Sequence, residues 1–480
     1  MMSLRNMVRG LENDAPAKQL IQFWEHDPET LKFWRASSNF IYVFERNGNP
    51  HFLRFIHEED NTIENIQTEL DFMLYLRDKG YSTVAPIRSK NGHWIETISS
   101  KHGFYYAVVF EQAKGIHIPL DQMLNLHFEH WGKSLASLHQ LSENYSAGTT
   151  SRRGWADILA FISSVLQRYP KEVGVRQQLD QIRELFNGLP TGEGHSGLVH
   201  YDFETDNIFY VAEESRYCAI DFDDMMDHWF MMDITSAISD LLEQADKEAC
   251  RKIQQFLAGY RSIKLLDEAY ISLLPMFQKF SDLYTLARLL RSVEDMDIAS
   301  SPEWAIKLKE KLLGVCAQIR ERYRPAVKLA AIDQSNWYAC TQLEVTGEQK
   351  NMFPIPIVYW LAESAYCGFT PLAIYAAEQL IGFAVYAVDP DDGSYWIMAY
   401  MIDHKFQHSG WGRSAMLELM HHMKEKHGCD QIRLGHRYDN ERASKLYASL
   451  GFEEIDRNDH EVIRQLKLSS FSSENAGSES

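Results

Sequence analysis

The chain has 480 residues, of which 45% are apolar and 12% aromatic, so we expect about three structural units rather than one core. Its net charge of −19 argues against nucleic acid as the main partner, because phosphate binding needs a basic face, and is compatible with a small cationic substrate. The six cysteines form no paired motif, and the first residues contain no apolar export segment. No apolar run reaches the roughly 18 residues of a membrane span. We therefore expect a cytoplasmic protein without a membrane partner.

The first part of the chain predicts a small lobe of strands and one helix. Residues 1–35 are amphipathic and are expected to be helical. Two apolar-aromatic runs flank Asn47-Gly48-Asn49, which is the signal of a β-hairpin. Apolar residues recur at helical spacing over 62–79, and the run 107–111 is strand-like. We assign about residues 1–112 to this lobe.

The rest of the chain divides into a helical part and an alternating part. The pattern over about 113–325 is mostly helical, except for short strand-like runs over 197–224. From residue 326 to 468 strands and helices alternate, which predicts an α/β domain. The Ser- and Glu-rich end, 469–480, is predicted to be a disordered tail.

A motif typical of phosphoryl transfer lies between the helical segments. It reads His200-Tyr201-Asp202-Phe203-Glu204-Thr205-Asp206-Asn207 and is followed by a strand and Asp221. Phosphoryl transfer needs a carboxylate that orients or activates the acceptor, together with hard oxygen ligands for Mg²⁺. The spacing therefore predicts Asp202 as the catalytic residue and Asn207 and Asp221 as metal ligands.

A nucleotide also needs a cation on its phosphates and a surface for its base. Arg54 lies in a strand-like run, and Glu69 lies on the apolar stripe of the following helix, so Glu69 is expected to point inward and pair with Arg54. Glu111 ends the next strand-like run.

These residues resemble the aminoglycoside phosphotransferase and choline-kinase-like superfamily over residues 1 to about 325. That family carries an H-G-D-x-x-x-x-N loop and a D-F-G-like metal motif, whereas here Tyr201 and Asp223 replace the two glycines and Arg54 replaces the usual lysine. Ser37-Ser38-Asn39 stands where the family has its turn over the phosphates. The resemblance implies an α+β bilobal kinase-like fold, ATP or GTP, and Mg²⁺. It also implies that Glu111 marks the hinge between the lobes, whose backbone would hold the base, although its side chain could simply be solvated. We expect His200 to brace the loop rather than to carry a proton.

A second motif, Gln407-His408-Ser409-Gly410-Trp411-Gly412, follows a predicted strand and opens a predicted helix. Successive backbone N–H groups at the start of a helix can bind a diphosphate, so the spacing predicts an acyl-CoA site. We assign its cofactor contacts to Met401, Ile402, Gln407, Gly410, Trp411, Gly412, Arg413 and Ser414.

Together with a downstream Asn–x6–Tyr pattern, this motif resembles the GNAT N-acetyltransferase family over about residues 325–465, and is most similar to its polyamine-acetylating branch. The resemblance implies an α/β fold with a mixed central sheet, acetyl-CoA, and direct attack by a neutral amine. It also implies that Asn440 contacts CoA and that Tyr447 returns a proton to the CoA thiolate. The general base for the amine is not assigned. Five residues could bind a cationic amine, although each is more typical of a solvated or structural position: Glu363, Tyr366, Glu378, Asp391 and Asp392.

The two motifs together predict a bifunctional enzyme that phosphorylates and acetylates one amine-bearing metabolite or antibiotic, such as an aminoglycoside or a polyamine-like compound. One alternative is an acetyltransferase whose kinase fold is inactive and only binds a substrate or nucleotide. Another is a regulatory protein kinase with a protein acetyltransferase. The segment Met225–Asp233 is short for peptide docking, which favours a small molecule. The sequence leaves open whether the role is resistance or metabolism, and what the oligomeric state is.

Overall fold

The computed structural model describes residues 1–145, 153–169, 172–192, 194–297 and 301–468, so the predicted tail 469–480 lies outside the described residues. The chain divides into two compact units. The first comprises Met1–Leu166 and Gln178–Glu321, and the second comprises Gln167–Gln177 and Arg322–Ser480. Within the part of the chain that the structure describes, no helix has the length and apolar composition needed to cross a bilayer.

The first unit begins with a six-stranded antiparallel sheet in the order β1-β2-β3-β6-β4, with β5 paired to β6. Helix α3 follows β3 and buries one face made of residues such as Ile66, Leu70 and Met73. The strands are β1 Lys32–Ala36, β2 Phe40–Arg46, β3 Asn49–His57, β4 Pro86–Ile87, β5 Glu96–Ser100 and β6 Gly103–Glu111; the helices are α1 Leu4–Gly10, α2 Ala15–Leu20 and α3 Ile63–Asp78.

Two local predictions for this lobe are confirmed and one is wrong in part. Asn47 and Gly48 adopt positive φ and connect β2 to β3, as the hairpin signal requires. The Thr62 hydroxyl caps α3 by accepting from the Asn65 N–H at 3.3 Å. The expected helical character of residues 1–35 holds only for short helices, because β1 begins at Lys32 and pairs with β2. Pairing with a neighbouring strand outweighs the amphipathic pattern there.

The next part of the chain is helical, with two small antiparallel sheets, β7 with β10 and β8 with β9, that carry the loops of the first motif. Helices α4 and α9 approach so closely that a Cβ on Gly132 would collide with the Phe256 carbonyl. The helices are α4 Asn125–Glu143, α5 Trp155–Gln167, α6 Val173–Gly188, α7 Phe230–Ala237, α8 Ser239–Gln244, α9 Lys247–Arg261, α10 Glu268–Ile271, α11 Leu274–Glu294 and α12 Glu303–Arg322; the strands are β7 Ser196–Val199, β8 Ile208–Val211, β9 Arg216–Ala219 and β10 Met226–Trp229.

The second unit is built on a seven-stranded sheet in the order β11-β12-β13-β14-β15-β17-β16. Its pairs are antiparallel except for β14 and β15, so the sheet is mixed as predicted. Apolar clusters cover both faces of the sheet. The strands are β11 Val327–Ala331, β12 Thr370–Ala376, β13 Gln379–Val388, β14 Tyr395–Ile402, β15 Gln431–Arg437, β16 Glu453–Arg457 and β17 Glu461–Lys467; the helices are α13 Trp337–Thr341, α14 Ile357–Cys367, α15 Trp411–His427 and α16 Glu441–Ser449.

The parallel pair in this sheet is short. Strands β14 and β15 pair only from Tyr395 to Ile397, and β14 continues to Ile402 with β13 alone as its neighbour. One backbone edge of β14 is therefore open beside the start of α15. This opening is where the second motif lies.

Candidate active sites

The structure brings the predicted acid and metal ligands of the first motif together. The Asn207 amide donates to Asp202 Oδ2 at 2.8 Å and to the Asp202 carbonyl at 3.0 Å. The Ile220 N–H donates to the Asn207 carbonyl at 2.9 Å, which places Asp221 next to Asn207. Because these bonds link the loop to the end of β9, all three side chains border one space.

One buried oxygen in this cluster is suited to a metal ion. Both hydrogen bonds of the Asn207 amide use its nitrogen, and among the described residues nothing donates to its buried Oδ1. A buried polar oxygen without a partner is costly unless another ligand contacts it. Asn207 and Asp221 thus offer hard oxygens that fit Mg²⁺, with phosphate and water able to supply the remaining ligands. The described residues contain no group of three or more His, Cys, Asp or Glu side chains that could hold a metal ion.

Asp233, which the sequence analysis missed, fixes the catalytic loop from below. Its buried carboxylate accepts from the His200 N–H at 2.7 Å, the Tyr201 N–H at 2.5 Å and His139 Nε2 at 3.0 Å. Tyr201 is held at φ 72°, a left-handed conformation that costs a non-glycine residue about 1 kcal/mol or more. The bonds to Asp233 stabilise this turn where the related family has glycine.

His200 braces the loop, as expected. Its ring is fully buried against Phe222, and Nε2 lies 2.9 Å from the Ile220 carbonyl, to which it donates. Burial lowers the pKa of His200, so the ring is neutral at physiological pH.

Several partly buried carboxylates share this region, and their pKa values diverge. Burial raises the pKa of Asp202, with a further increase from Asp224. Burial and the neighbouring Asp221 raise the pKa of Asp223 to about 8. Burial would also raise the pKa of Asp224, but the ion pair with Arg288 at 2.7 Å brings it down to about 2. The site therefore holds carboxylates of different basicity within a few residues.

These carboxylates line a cavity of about 310 Å³, called here the acidic cavity. The side chains around it are mostly acidic or hydroxylic, and the cations are Arg35 and Arg288. Lining residues include Ser37, Ser38, Tyr201, Asp202, Glu204, Asp206, Asn207, Asp221, Asp223, Asp224, Ser281 and Thr285. A cavity of this charge favours a polar, cationic molecule over an anionic one.

The predicted ion pair between Arg54 and Glu69 is formed. Arg54 donates to both oxygens of Glu69, at 2.7 and 2.6 Å, and both side chains are buried. The same guanidinium lies 3.9 Å from Asp221 Oδ1. The bidentate Arg54–Glu69 pair thereby joins α3 to β3 and holds the guanidinium beside Asp221.

Arg54 and Glu69 form part of a second cavity of about 510 Å³, called here the apolar cavity. Phe52, Phe110 and Phe209 give it flat apolar walls. Glu111 lies at its edge, at the end of β6, where the Glu111 N–H donates to the Ala85 carbonyl at 3.0 Å. The Glu111 side chain is exposed.

The second motif turns sharply before α15. Gly410 has φ +80°, and a Cβ there would collide with the Arg324 guanidinium, so this position requires glycine. Gly412 is different, because a Cβ would meet only Leu446 at 3.8 Å and Ile402 at 4.0 Å. The Gly412 carbonyl accepts from the Tyr400 hydroxyl at 2.6 Å, which ties the start of α15 to β14.

Some of the predicted cofactor residues border a cavity of about 250 Å³, called here the tyrosine cavity. Met401, Ile402, Gln407 and Gly412 line it, and Gln407 Nε2 donates to the Ile402 carbonyl at 2.8 Å. This bond fixes the turn against the open edge of β14.

Three other predicted residues take different places. The indole of Trp411 is buried in the core, so it does not cover the cavity and only its backbone remains for a cofactor. The Arg413 side chain donates to Ser449 Oγ at 2.9 Å, and the N–H groups of Arg413 and Ser414 are bonded to the Gly410 carbonyl. Two N–H groups at the start of α15, those of Trp411 and Gly412, have no backbone acceptor among the described residues.

Asn440 and Tyr447 also line the tyrosine cavity. Asn440 caps α16, with its side-chain oxygen accepting from the Ala443 N–H at 3.1 Å, and so orients the helix that carries Tyr447. Burial raises the pKa of Tyr447 to about 12, so its hydroxyl stays protonated at neutral pH. Tyr447 can then donate a proton to a basic group within the cavity.

Two family comparisons agree with these sites. Residues 32–266 match the phosphotransferase enzyme family APH, and residues 332–452 match the acetyltransferase (GNAT) family. The chain joins an APH phosphotransferase domain to a GNAT acetyltransferase domain. It is accordingly an enzyme with a kinase-like half and an N-acetyltransferase half. The predicted fold classes, a kinase-like α+β domain followed by an α/β GNAT domain, are confirmed.

Individual relatives match each half separately. The amicoumacin kinase of Bacillus subtilis is 24% identical over 298 residues, which cover 60% of this chain and 85% of that protein. The spermine/spermidine N(1)-acetyltransferase of Bacillus subtilis is 27% identical over 148 residues, 29% of this chain and 97% of that protein. The structure is also similar to a solved amicoumacin kinase in complex with AMP-PNP, Ca²⁺ and Ami, with a TM-score of 0.54 and 22% sequence identity. The match covers 65% of this chain and 94% of that chain. It supports the fold of the APH half. The two families imply ATP with a divalent cation and acetyl-CoA, respectively.

In the GNAT half, the sequence analysis missed a histidine and an arginine at the tyrosine cavity. His408 and Arg442 line it and lie 3.4 Å apart, between His408 Nε2 and Arg442 Nη1. Their signal was their position, one inside the glycine turn and one beside Asn440. The five residues considered for a cationic amine do not line this cavity; Asp392 instead pairs with Arg433 at 3.0 Å, and Tyr366 is 90% exposed.

Proposed function

We propose that the APH domain transfers a phosphoryl group from ATP or GTP, as a Mg²⁺ complex, to a hydroxyl of a small amine-bearing molecule. The observation that carries this proposal is the acidic cavity with Asp202 on its wall and Asn207 and Asp221 beside it. In this role Asp202 orients the acceptor hydroxyl and accepts its proton, and its raised pKa makes it a better base than an ordinary aspartate. Asn207 and Asp221 would hold the Mg²⁺, whose charge offsets that of the phosphates.

The nucleotide binds, in this proposal, between the two lobes of the same domain. Arg54 directs its charge toward the phosphates, Glu69 holds Arg54 in place, and the backbone at Glu111 receives the base within the apolar cavity. This arrangement supports an active kinase over a kinase fold that merely binds ligand.

We propose that the GNAT domain transfers an acetyl group from acetyl-CoA to an amine of the same molecule, an aminoglycoside or polyamine-like compound. The N–H groups that open α15 bind the diphosphate, with Gly412 leaving room for it, while the open edge of β14 at Met401 and Ile402 receives the pantetheine arm. Tyr447 donates its hydroxyl proton to the departing thiolate. Acetylation and phosphorylation would each alter the charge by which such a molecule binds its target.

The acceptor is proposed to be a small molecule because the chain leaves little room for peptide docking. After Asp221 the chain enters β10 at Met226 and α7 at Phe230 without a long intervening segment. A cytoplasmic location follows from the cofactors that both reactions require.

The test is to incubate the purified protein with Mg²⁺, ATP or GTP, and acetyl-CoA across a panel of aminoglycosides, polyamines and amino alcohols. Free thiol and nucleoside diphosphate are measured, and the products are identified by mass. We expect at least one compound that gains both a phosphoryl and an acetyl group. Acetylation of peptide amines alone, or release of thiol without any phosphorylated product from the panel, would contradict the proposal.

We propose that two fragments cut at the predicted boundary, 1–325 and 326–480, fold separately. The second compact unit also includes Gln167–Gln177, and Val173 belongs to its core, so a cut at 325 removes a small part of that core. We expect both fragments to be soluble, with the second less stable than in the full chain, as measured by thermal unfolding. A second fragment that is insoluble at several nearby cut points would contradict independent folding.

A further inference from the structure

Arg35 stands at the junction of the two cavities of the APH domain. It lies near the end of β1, just before the Ser37-Ser38-Asn39 turn, and it lines both the acidic and the apolar cavity. Its guanidinium donates to Asp221 Oδ2 at 3.0 Å. The side chain thus occupies an oxygen of the residue proposed as a metal ligand.

The two arginines around Asp221 differ in freedom. Arg54 is only 7% exposed and is fixed by two bonds to Glu69, whereas the Arg35 side chain is 45% exposed and has the Asp221 carboxylate as its ion-pair partner. A half-exposed arginine can change rotamer at little cost, while a buried bidentate pair cannot. Of the two, Arg35 is the cation that can leave Asp221.

The backbone around Arg35 is held in place. Asn39 Nδ2 donates to Asp223 Oδ2 at 2.6 Å, and Arg288 donates to Ser38 Oγ at 3.2 Å. These bonds keep the turn against the metal-binding segment, so only the Arg35 side chain has to rotate. In this position the guanidinium bonds the Asp221 carboxylate and also borders the apolar cavity.

We propose that Arg35 and a divalent cation compete for Asp221, and that the phosphates of a bound nucleotide resolve this competition by taking the Arg35 guanidinium. The inference rests on the proposed kinase function of the same site. A divalent cation alone would displace Arg35 without offering it a new anion, whereas a metal–nucleotide complex supplies one. The site would therefore select the complex over the free metal.

The test compares Arg35→Gln with Lys32→Gln, a control that removes an exposed cation from the same strand but outside both cavities. Mn²⁺ binding without nucleotide is measured by electron paramagnetic resonance, and binding of a non-hydrolysable ATP analogue with Mn²⁺ by calorimetry. In Arg35→Gln we expect tighter binding of Mn²⁺ alone, by roughly two- to fivefold, the scale of a half-exposed ion pair. We expect weaker binding of the metal–nucleotide complex by roughly tenfold or more, the scale of a charge-assisted contact to phosphate.

The opposite signs of the two changes are the signature of competition. Arg35→Lys, which keeps the charge, should recover part of the nucleotide affinity. If Arg35→Gln behaves like Lys32→Gln in both assays, or if both affinities change in the same direction, this inference is overturned while the kinase function stands. If the unaltered protein binds neither an ATP analogue nor a GTP analogue in the presence of Mn²⁺, the inference and the proposed kinase function fall together.

Discussion

The two sites of this chain solve the problem of a charged reaction in opposite ways. The acidic cavity concentrates carboxylates, and its arginines are tied to them in ion pairs such as Arg288 with Asp224. The described residues that line the tyrosine cavity include no carboxylate, and its polar groups are backbone, amides, tyrosine hydroxyls, the His408 ring and the Arg442 guanidinium. Phosphoryl transfer handles charge with countercharges, whereas acyl transfer handles it here with a helix start and a neutral hydroxyl.

This contrast predicts how each site fails. In the APH domain, changing a single charge alters the pKa values of its neighbours, because the carboxylates are buried together. In the GNAT domain, shape is expected to matter more than charge, because the proposed diphosphate position depends on the space that Gly412 leaves open at the start of α15. Variants in the two domains should also be independent of each other in activity.

The largest effect is expected from Asp202→Asn, which removes the charge that orients the acceptor. Phosphoryl transfer should fall by roughly 10²–10⁴-fold, with acetyl transfer unchanged. Both rates are measured on the same preparation with one substrate. Glu213→Gln, which removes an exposed carboxylate in the turn after β8 and outside both cavities, is the control and should lose less than tenfold. Equal kinase rates for the two variants would show that Asp202 does not orient the acceptor hydroxyl.

The next effect is expected from Gly412→Asp, which tests whether shape controls the second site. The backbone tolerates a side chain at this position, so the protein should fold, but a carboxylate would enter the diphosphate position and weaken acetyl-CoA binding by roughly 100-fold or more. Calorimetry with acetyl-CoA measures it, and nucleotide binding serves as an internal reference. Gly347→Asp, also unobstructed but outside the cavity, should bind normally. Unchanged acetyl-CoA affinity in Gly412→Asp would refute the proposed diphosphate position at the start of α15.

A smaller effect is expected from Tyr447→Phe, because only a proton donor is lost. The kcat for acetylation should fall by roughly 10- to 100-fold with little change in KM for acetyl-CoA, since the ring still fills its place beneath the cavity. Steady-state kinetics at saturating acetyl-CoA provide the measurement. Tyr438→Phe, an exposed tyrosine outside the cavity, is the control. Full activity in the Tyr447→Phe variant would assign proton return to another group.

The smallest effect is expected on stability and concerns the acidic cavity alone. Burial and the neighbouring Asp202 raise the pKa of Glu204 to about 8. The folded state then binds a proton that the unfolded state, with an ordinary glutamate pKa, releases, so the free energy of unfolding falls as pH rises from about 4.5 to about 8. In Glu204→Gln this decline should be shallower, by at most a few kcal/mol over the window. Denaturant titrations at several pH values measure it; parallel curves for both proteins would contradict the raised pKa.

Much of both sites could be predicted because the relevant residues are close in sequence. Asp202 and Asn207 lie on one loop, and the glycines, Asn440 and Tyr447 follow patterns set by a strand–turn–helix and one helix face. Such local spacing encodes geometry directly.

Other contacts could not be predicted because long stretches of chain separate their partners. Arg35 meets Asp221 across 186 positions, and the pairing of Arg288 with Asp224 depends on how α11 packs. The direction of the Trp411 side chain was equally open, since a residue at a helix start can turn either to solvent or to the core. The pattern over β1 predicts helix because an edge strand with exposed Phe33 and Trp34 has no clear alternation.

The carboxylate of Asp233 has a consequence for the timescale on which the catalytic loop opens. The amide hydrogens of His200 and Tyr201 are bound to a fully buried acceptor rather than to a solvent-facing strand or turn. Exchange of these hydrogens with deuterium requires Asp233 to lose its partners, which couples the event to unfolding of the whole helical lobe rather than to local fraying. The amide hydrogens of His200 and Tyr201 should thus rank among the slowest to exchange in the protein.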